Sequence, residues 1–230
     1  KDSLNTLKLY SYRQSEPIDS HPFEDFGLEL GVPSRHYTII SKHERLASQS
    51  LTDFFDELES YSHLSKQLKA APMIDSFEEL YEGHLWQQKA PHSRSFLPRS
   101  SDGKWKWYRL FMKDKMPLNF YRIDGEHNLD QPLLHEWISA PVCDLFGAVL
   151  GFPVFHSYSP TFHQKFFARY QMAFYAIALQ SSERDLVLKI LALIGMKCAA
   201  ITAPLKEEGI NTLYVNQDGT HKTLNTDLIA

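Results

Sequence analysis

Short β-rich runs alternate with stretches of helical periodicity through the first half of the chain. Leu7–Tyr12, Gly27–Leu30 and Tyr37–Ser41 read as strands. From Ser50 to Tyr61, Leu51, Phe54, Phe55 and Leu58 recur at helical spacing, with Ser50 or Thr52 as the cap. Gln67–Ala71 reads as a strand, and Ser76 with Glu79 forms a capping-box pattern that opens another helix. Ser95–Pro98 and Leu118–Tyr121 read as strands flanking a polar loop, and a boundary falls near Ser139-Ala140-Pro141. A second series starts at Phe146, with a buried strand over Ala148–Gly151. Ser159-Pro160 then opens a helix whose apolar face is Phe162, Phe166, Phe167 and Tyr170. Phe174–Leu179 is a strand, Leu186–Ile194 a helix closed by Gly195, and Cys198–Thr202 a strand. Leu213–Asn216 and His221–Leu224 read as a hairpin turning at Gln217-Asp218-Gly219. This alternation is the signature of an α/β fold.

Composition narrows the classes of function. The 230 residues are 43% apolar, ordinary for a chain that buries a core. A net charge of -4, with both signs scattered, points away from nucleic-acid and membrane surfaces. No apolar run approaches the roughly 18 residues of a spanning helix. Cys143 and Cys198 have no metal-ligand spacing, the histidines form no HExxH pattern, and no metal is expected. A reducing, cytoplasmic setting is the expectation. The chain opens at Lys1 without an initiator Met or a signal-peptide apolar region, as expected of a piece of a longer protein.

Four short motifs follow one another in the second half. They are Ser157-Tyr158-Ser159-Pro160, Thr202-Ala203-Pro204-Leu205-Lys206, Asn211-Thr212 and Asn225-Thr226-Asp227. Each alone has a plain structural explanation: two hydroxyls before a helix cap it, and an Asn-Thr-Asp triplet near a glycine is turn chemistry. As an ordered set they resemble the substrate-binding domain of the shikimate dehydrogenase family, over Phe146 to Asp227. The resemblance implies that Ser157 and Ser159 hold a substrate carboxylate near a helix N-terminus. It implies that Thr202, Asn211 and Asp227 meet ring hydroxyls, and that Lys206 and Asp227 move a proton as hydride is transferred. Two departures stand out. Ala200 replaces the family's asparagine, and only Glu207 to Ile210 separate Lys206 from Asn211, where the family has a helix.

In the first half, Ser41-Lys42-His43 ends a strand and Lys69 lies on a later one. A strand-end histidine is more often a surface residue, yet beside a strand-borne lysine it also suits Schiff-base chemistry on a ketone. This half resembles type I 3-dehydroquinate dehydratase, a (β/α)8 barrel. The resemblance implies that Lys69 forms an imine with 3-dehydroquinate while His43 shuttles protons. It implies that Arg13, Arg109 and Gln131 hold the substrate, with Glu16 one residue off the family's glutamate. The first barrel strands have no counterpart, the stretch from Glu29 to His43 is too short for the usual helix, and Trp105-Lys106-Trp107 is unlike the common form.

The expected architecture is therefore a partial (β/α)8 barrel over residues 1–139, followed at 144–230 by a three-layer α/β substrate-binding domain. The expected function lies in the shikimate pathway: dehydration of 3-dehydroquinate and NADP-dependent reduction of 3-dehydroshikimate. The partners are small-molecule substrates, and NADP is expected to sit mainly on a further domain, since the sequence contains no GxGxxG. The rivals are a non-catalytic quinate- or shikimate-sensing regulator, and a monofunctional dehydrogenase beside a relic barrel.

Overall fold

The computed structural model describes residues 10–11, 24–123, 128–208, 212–215 and 221–224. Ten strands form two five-stranded sheets. The first contains β1 (Tyr10–Ser11), β2 (Glu24–Gly27), β3 (Tyr37–Lys42), β4 (Ser65–Ala70) and β5 (Arg94–Phe96), all parallel and in chain order. Helices α1 (Leu51–Ser60), α2 (Phe77–Gln88) and α3 (Lys106–Phe111) follow β3, β4 and β5, and α4 (Leu134–Ser139) closes this half. Both capping boxes form: Ser50 with Asp53 begins α1, and Ser76 with Glu79 begins α2. The buried stripe Leu51, Phe54, Phe55 and Leu58 keeps α1 on the sheet.

The partial barrel expected here corresponds, among the described residues, to a run of five parallel strands, and a full (β/α)8 barrel is not shown. Two expectations for this half need correction. Leu118–Tyr121 is not a strand; the Leu118 N–H is spent on Ser95 Oγ (2.9 Å) and the Phe120 N–H on Asn119 Oδ1 (2.9 Å), so no ladder can start. The second strand ends at Gly27, and Leu28–Leu30 is a 3₁₀ turn terminated by Gly31 at φ 122°.

The second sheet has the order β10-β9-β8-β6-β7. Its strands are β6 (Leu145–Gly151), β7 (Met172–Ala178), β8 (Met196–Ile201), β9 (Thr212–Val215) and β10 (His221–Leu224). β6 runs parallel to both β7 and β8, whereas β8, β9 and β10 are antiparallel in turn. The expected hairpin is the β9–β10 pair; its turn at Gln217–Gly219 lies outside the described residues. Helix α5 (Ser159–Ala168) joins β6 to β7, and α6 (Arg184–Ile194) joins β7 to β8. Gly195, at φ 140°, lets α6 end against the Asp144 carbonyl, where a Cβ would meet that oxygen at 2.6 Å. The expected apolar face of α5 is largely solvent-facing: Phe162 is 77% exposed, Phe166 and Tyr170 are exposed, and only Phe167 packs inward.

The two sheets share one core. Trp107 and Phe111 of α3 lie 5.5 and 5.0 Å, centroid to centroid, from Phe146 of β6, and Phe146 lies 5.8 Å from Tyr175 of β7. No described helix is long and apolar enough to cross a membrane.

Candidate functional site

In the second sheet the chain leaves β6 for β7 on one side, then crosses by α6 to β8 on the other. The carboxyl ends of β6 and β8 therefore flank the point where connections diverge, which is where open α/β sheets leave a crevice. The two ends are laced together. Thr202 N–H donates to the Leu150 carbonyl (2.9 Å), and Phe152 N–H donates to the Ala203 carbonyl (2.9 Å). Both loops carry a cis proline, at Phe152-Pro153 and Ala203-Pro204. Gly151 makes the close approach possible, because a Cβ there would sit 2.4 Å from Thr202 Cγ2 and 2.5 Å from the Ala203 carbonyl oxygen.

Four expected site residues lie on the segments that follow β6 and β8. Ser159 opens α5, and its N–H donates to Ser157 Oγ (3.3 Å), so the hydroxyl pair sits at the helix N-terminus. Thr202 follows β8 directly. Lys206 lies on the 3₁₀ turn Leu205–Glu208, fixed by its N–H to the Thr202 carbonyl (3.0 Å), with an exposed side chain. Ala200, in β8, carries no polar group. Asn211 and Asp227 lie outside the described residues, as does Arg13 of the first half.

In the first sheet, strand register sorts the side chains onto two faces. Ile40, Leu68, Ala70 and Phe96 share the face that meets the helices, together with Lys42, whose ammonium bonds Glu57 of α1. The opposite face carries Asp25, Ser41, Lys69 and Ser95, all buried, with Ser41, Lys69 and Ser95 side by side in register. Lys69, 5% exposed, is ion-paired with Asp25, whose Oδ1 has no partner among the described residues. The Lys69 ammonium also stands 5.4 Å from the centroid of the Phe120 ring.

His43 lies one residue beyond β3. Its N–H, and that of Glu44 (3.0 Å), donate to Glu29 Oε1, and its Nδ1 is 3.5 Å from Glu29 Oε2. Burial alone would raise the Glu29 carboxyl, but these bonds from His43 and Glu44 outweigh it and hold the pKa down to about 2. Arg99 ties two strand ends together, donating from Nε to the Ala71 carbonyl (2.6 Å) and from Nη2 to the His43 carbonyl (2.7 Å).

A cavity of about 270 Å³ lies nearby, lined by Arg99, Ser100, Ser101, Arg109, Asp130 and Gln131 among others. Arg109 is 3% exposed; burial, with Arg99 adding to it and Asp130 opposing it, lowers its pKa to about 10. Asp130 accepts from Ser100 Oγ and the Trp105 N–H (both 2.8 Å), although burial still raises its pKa. The cavity thus joins Arg109 and Gln131, as expected, while Lys69 and His43 are not among its lining residues. Sequence reading missed Asp25, Glu29, Arg99 and Asp130. Placing the second strand a few residues late hid Asp25, and Arg99 fell in the polar loop expected after the Ser95–Pro98 strand.

No family model and no curated protein matches the chain. Several solved structures do. A shikimate dehydrogenase in complex with NADP+ is 23% identical over 37% of this chain and 36% of its own (TM-score 0.33). The Aquifex aeolicus shikimate dehydrogenase is 24% identical over 37% and 38% (TM-score 0.33). The dehydroquinate dehydratase and shikimate dehydrogenase of S. pombe AroM is 17% identical over 89% and 46% (TM-score 0.37). The chain spans less than half the length of each of these structures.

Proposed function

We propose that this chain is part of a shikimate-pathway enzyme, with one ligand site on each sheet. The reading rests on where these residues lie in the fold: Ser157 and Ser159 on the segment after β6, and Thr202 and Lys206 on the segment after β8, at the divide between those strands. A ring bearing a carboxylate and several hydroxyls suits that edge. The serine hydroxyls and the first N–H groups of α5 would take the carboxylate. Thr202, with Asn211, would bond ring hydroxyls. Lys206, with Asp227, would hold the proton exchanged when 3-dehydroshikimate becomes shikimate. The sequence has no Gly-x-Gly, so its residues do not form the phosphate cradle NADP needs. This chain supplies binding, orientation and a proton, and NADP-dependent reduction belongs to the longer enzyme.

On the first sheet, Arg109 and Gln131 would hold the carboxylate of 3-dehydroquinate, and Lys69 would form the imine, with His43 as proton shuttle. A non-catalytic sensor of quinate or shikimate is the second reading. It is favoured by Lys69 being held in a buried ion pair with Asp25.

Titration calorimetry of the whole chain with shikimate tests the β6–β8 site. Saturable binding is expected, weakened about tenfold or more when Ser157 and Ser159 are both changed to Ala. A folded chain that takes up no shikimate would overturn this assignment.

A further inference from the structure

The polar face of the first sheet holds an acid that the expected dehydratase machinery does not use. Asp25 is 2% exposed, one carboxylate oxygen is engaged with the Lys69 ammonium, and Oδ1 has no partner among the described residues. An ammonium has no lone pair with which to attack a ketone, so Lys69 must first lose a proton. It is too buried for solvent to take that proton easily, and Asp25 is the carboxylate in contact with it.

We propose that Asp25 is the catalytic proton relay for imine formation at Lys69. This rests on the Schiff-base reading of Lys69. Asp25 accepts a proton from the Lys69 ammonium. The freed amine pair forms the N–C bond to the ketone carbon, and the C=O π pair moves to oxygen, which recovers the proton from Asp25. Asp25 then takes a second proton from nitrogen and returns it to the hydroxyl, which leaves as water. Ammonium plus ketone has become iminium plus water, with no net proton gained or lost. The iminium cation inherits the carboxylate that the ammonium had, so the buried charge stays paired throughout. Unpartnered Oδ1 gives the acid a second lone-pair site for the carbinolamine hydroxyl, while the other oxygen stays on nitrogen.

The test is borohydride trapping of 3-dehydroquinate on the whole chain at neutral pH, read by intact mass. Wild type and Asp25→Glu should gain the reduced adduct, and Lys69→Ala should not. Asp25→Asn should trap about 100-fold more slowly or worse, the scale of a lost general acid–base. Added formate should restore trapping to Asp25→Ala, which a purely structural carboxylate would not permit. Asp25→Glu and the formate rescue decide the matter should Asp25→Asn fail to fold. Equal trapping by wild type and folded Asp25→Asn would overturn the role of Asp25 and leave Lys69 as the imine former. No adduct on folded wild type would overturn the Schiff-base reading, and Asp25's role with it, leaving the sensor.

Discussion

Single positions decide how each site is held open. At Gly151 any side chain would collide with Thr202 and with backbone. Gly151→Ala is expected to cost about 1–3 kcal/mol, as overpacking does. It should also weaken shikimate binding, because Thr202 must move; urea unfolding and calorimetry on the same variant check both. Arg109→Lys keeps a positive charge but loses the planar fork, so quinate should bind the first sheet about tenfold more weakly by calorimetry. Ser157, Ser159, Thr202 and Lys206 could be singled out in the sequence because they lie in short motifs whose order has meaning. Asp25 was not: its partner Lys69 is 44 residues away, and no local pattern records such a pairing. Asp130 is similar, for its partners Ser100 and Trp105 lie 30 and 25 residues away along the chain.

Elements were most legible where capping chemistry opened them, alone at α2 and together with periodicity at α1. They were least legible where periodicity stood alone. The aromatic row of α5 has core-like spacing, yet the sheet beneath takes only Phe167, because spacing reveals a face and not what lies against it. Leu118–Tyr121 has strand-like composition, but the side chains of Ser95 and Asn119 had already claimed two of its N–H groups. Helix α2 carries a testable pH response. His84 is buried, with Nδ1 3.1 Å from Tyr108 Oη; burial, helped by the Lys115 charge, lowers its pKa to about 4. The unfolded chain takes up this proton near pH 6.5, the folded chain only near 4. The contribution of His84 to stability is thus complete above 6.5, falls with pH below that, and is gone below about 4. The full span is about 3 kcal/mol. His84→Gln should flatten this segment of a stability–pH curve measured by urea unfolding.

At the scale of the molecule, the change of sheet between α4 and β6 is not a change of core. Trp107, Phe111, Phe146 and Tyr175 pack across it. Phe146→Ala should cost about 3–5 kcal/mol and destabilise both halves together. Trp86, Trp105, Trp107 and Trp137 all lie in the first half, so their fluorescence follows that half while circular dichroism follows both. Coincident urea transitions by the two probes are expected; separated ones would mean the halves unfold independently. Two sheets were foreseeable from the restart of the hydrophobic pattern at Phe146, but their fusion was not, since Trp107 and Tyr175 meet only in space. The joint core also couples the chain's responses to its ligands. A ligand at either proposed site would hold the entire polypeptide folded, and the separate gains from two ligands would sum into one melting temperature. A compound screen that scores heat tolerance would reward quinate on one sheet and shikimate on the other with the same signal.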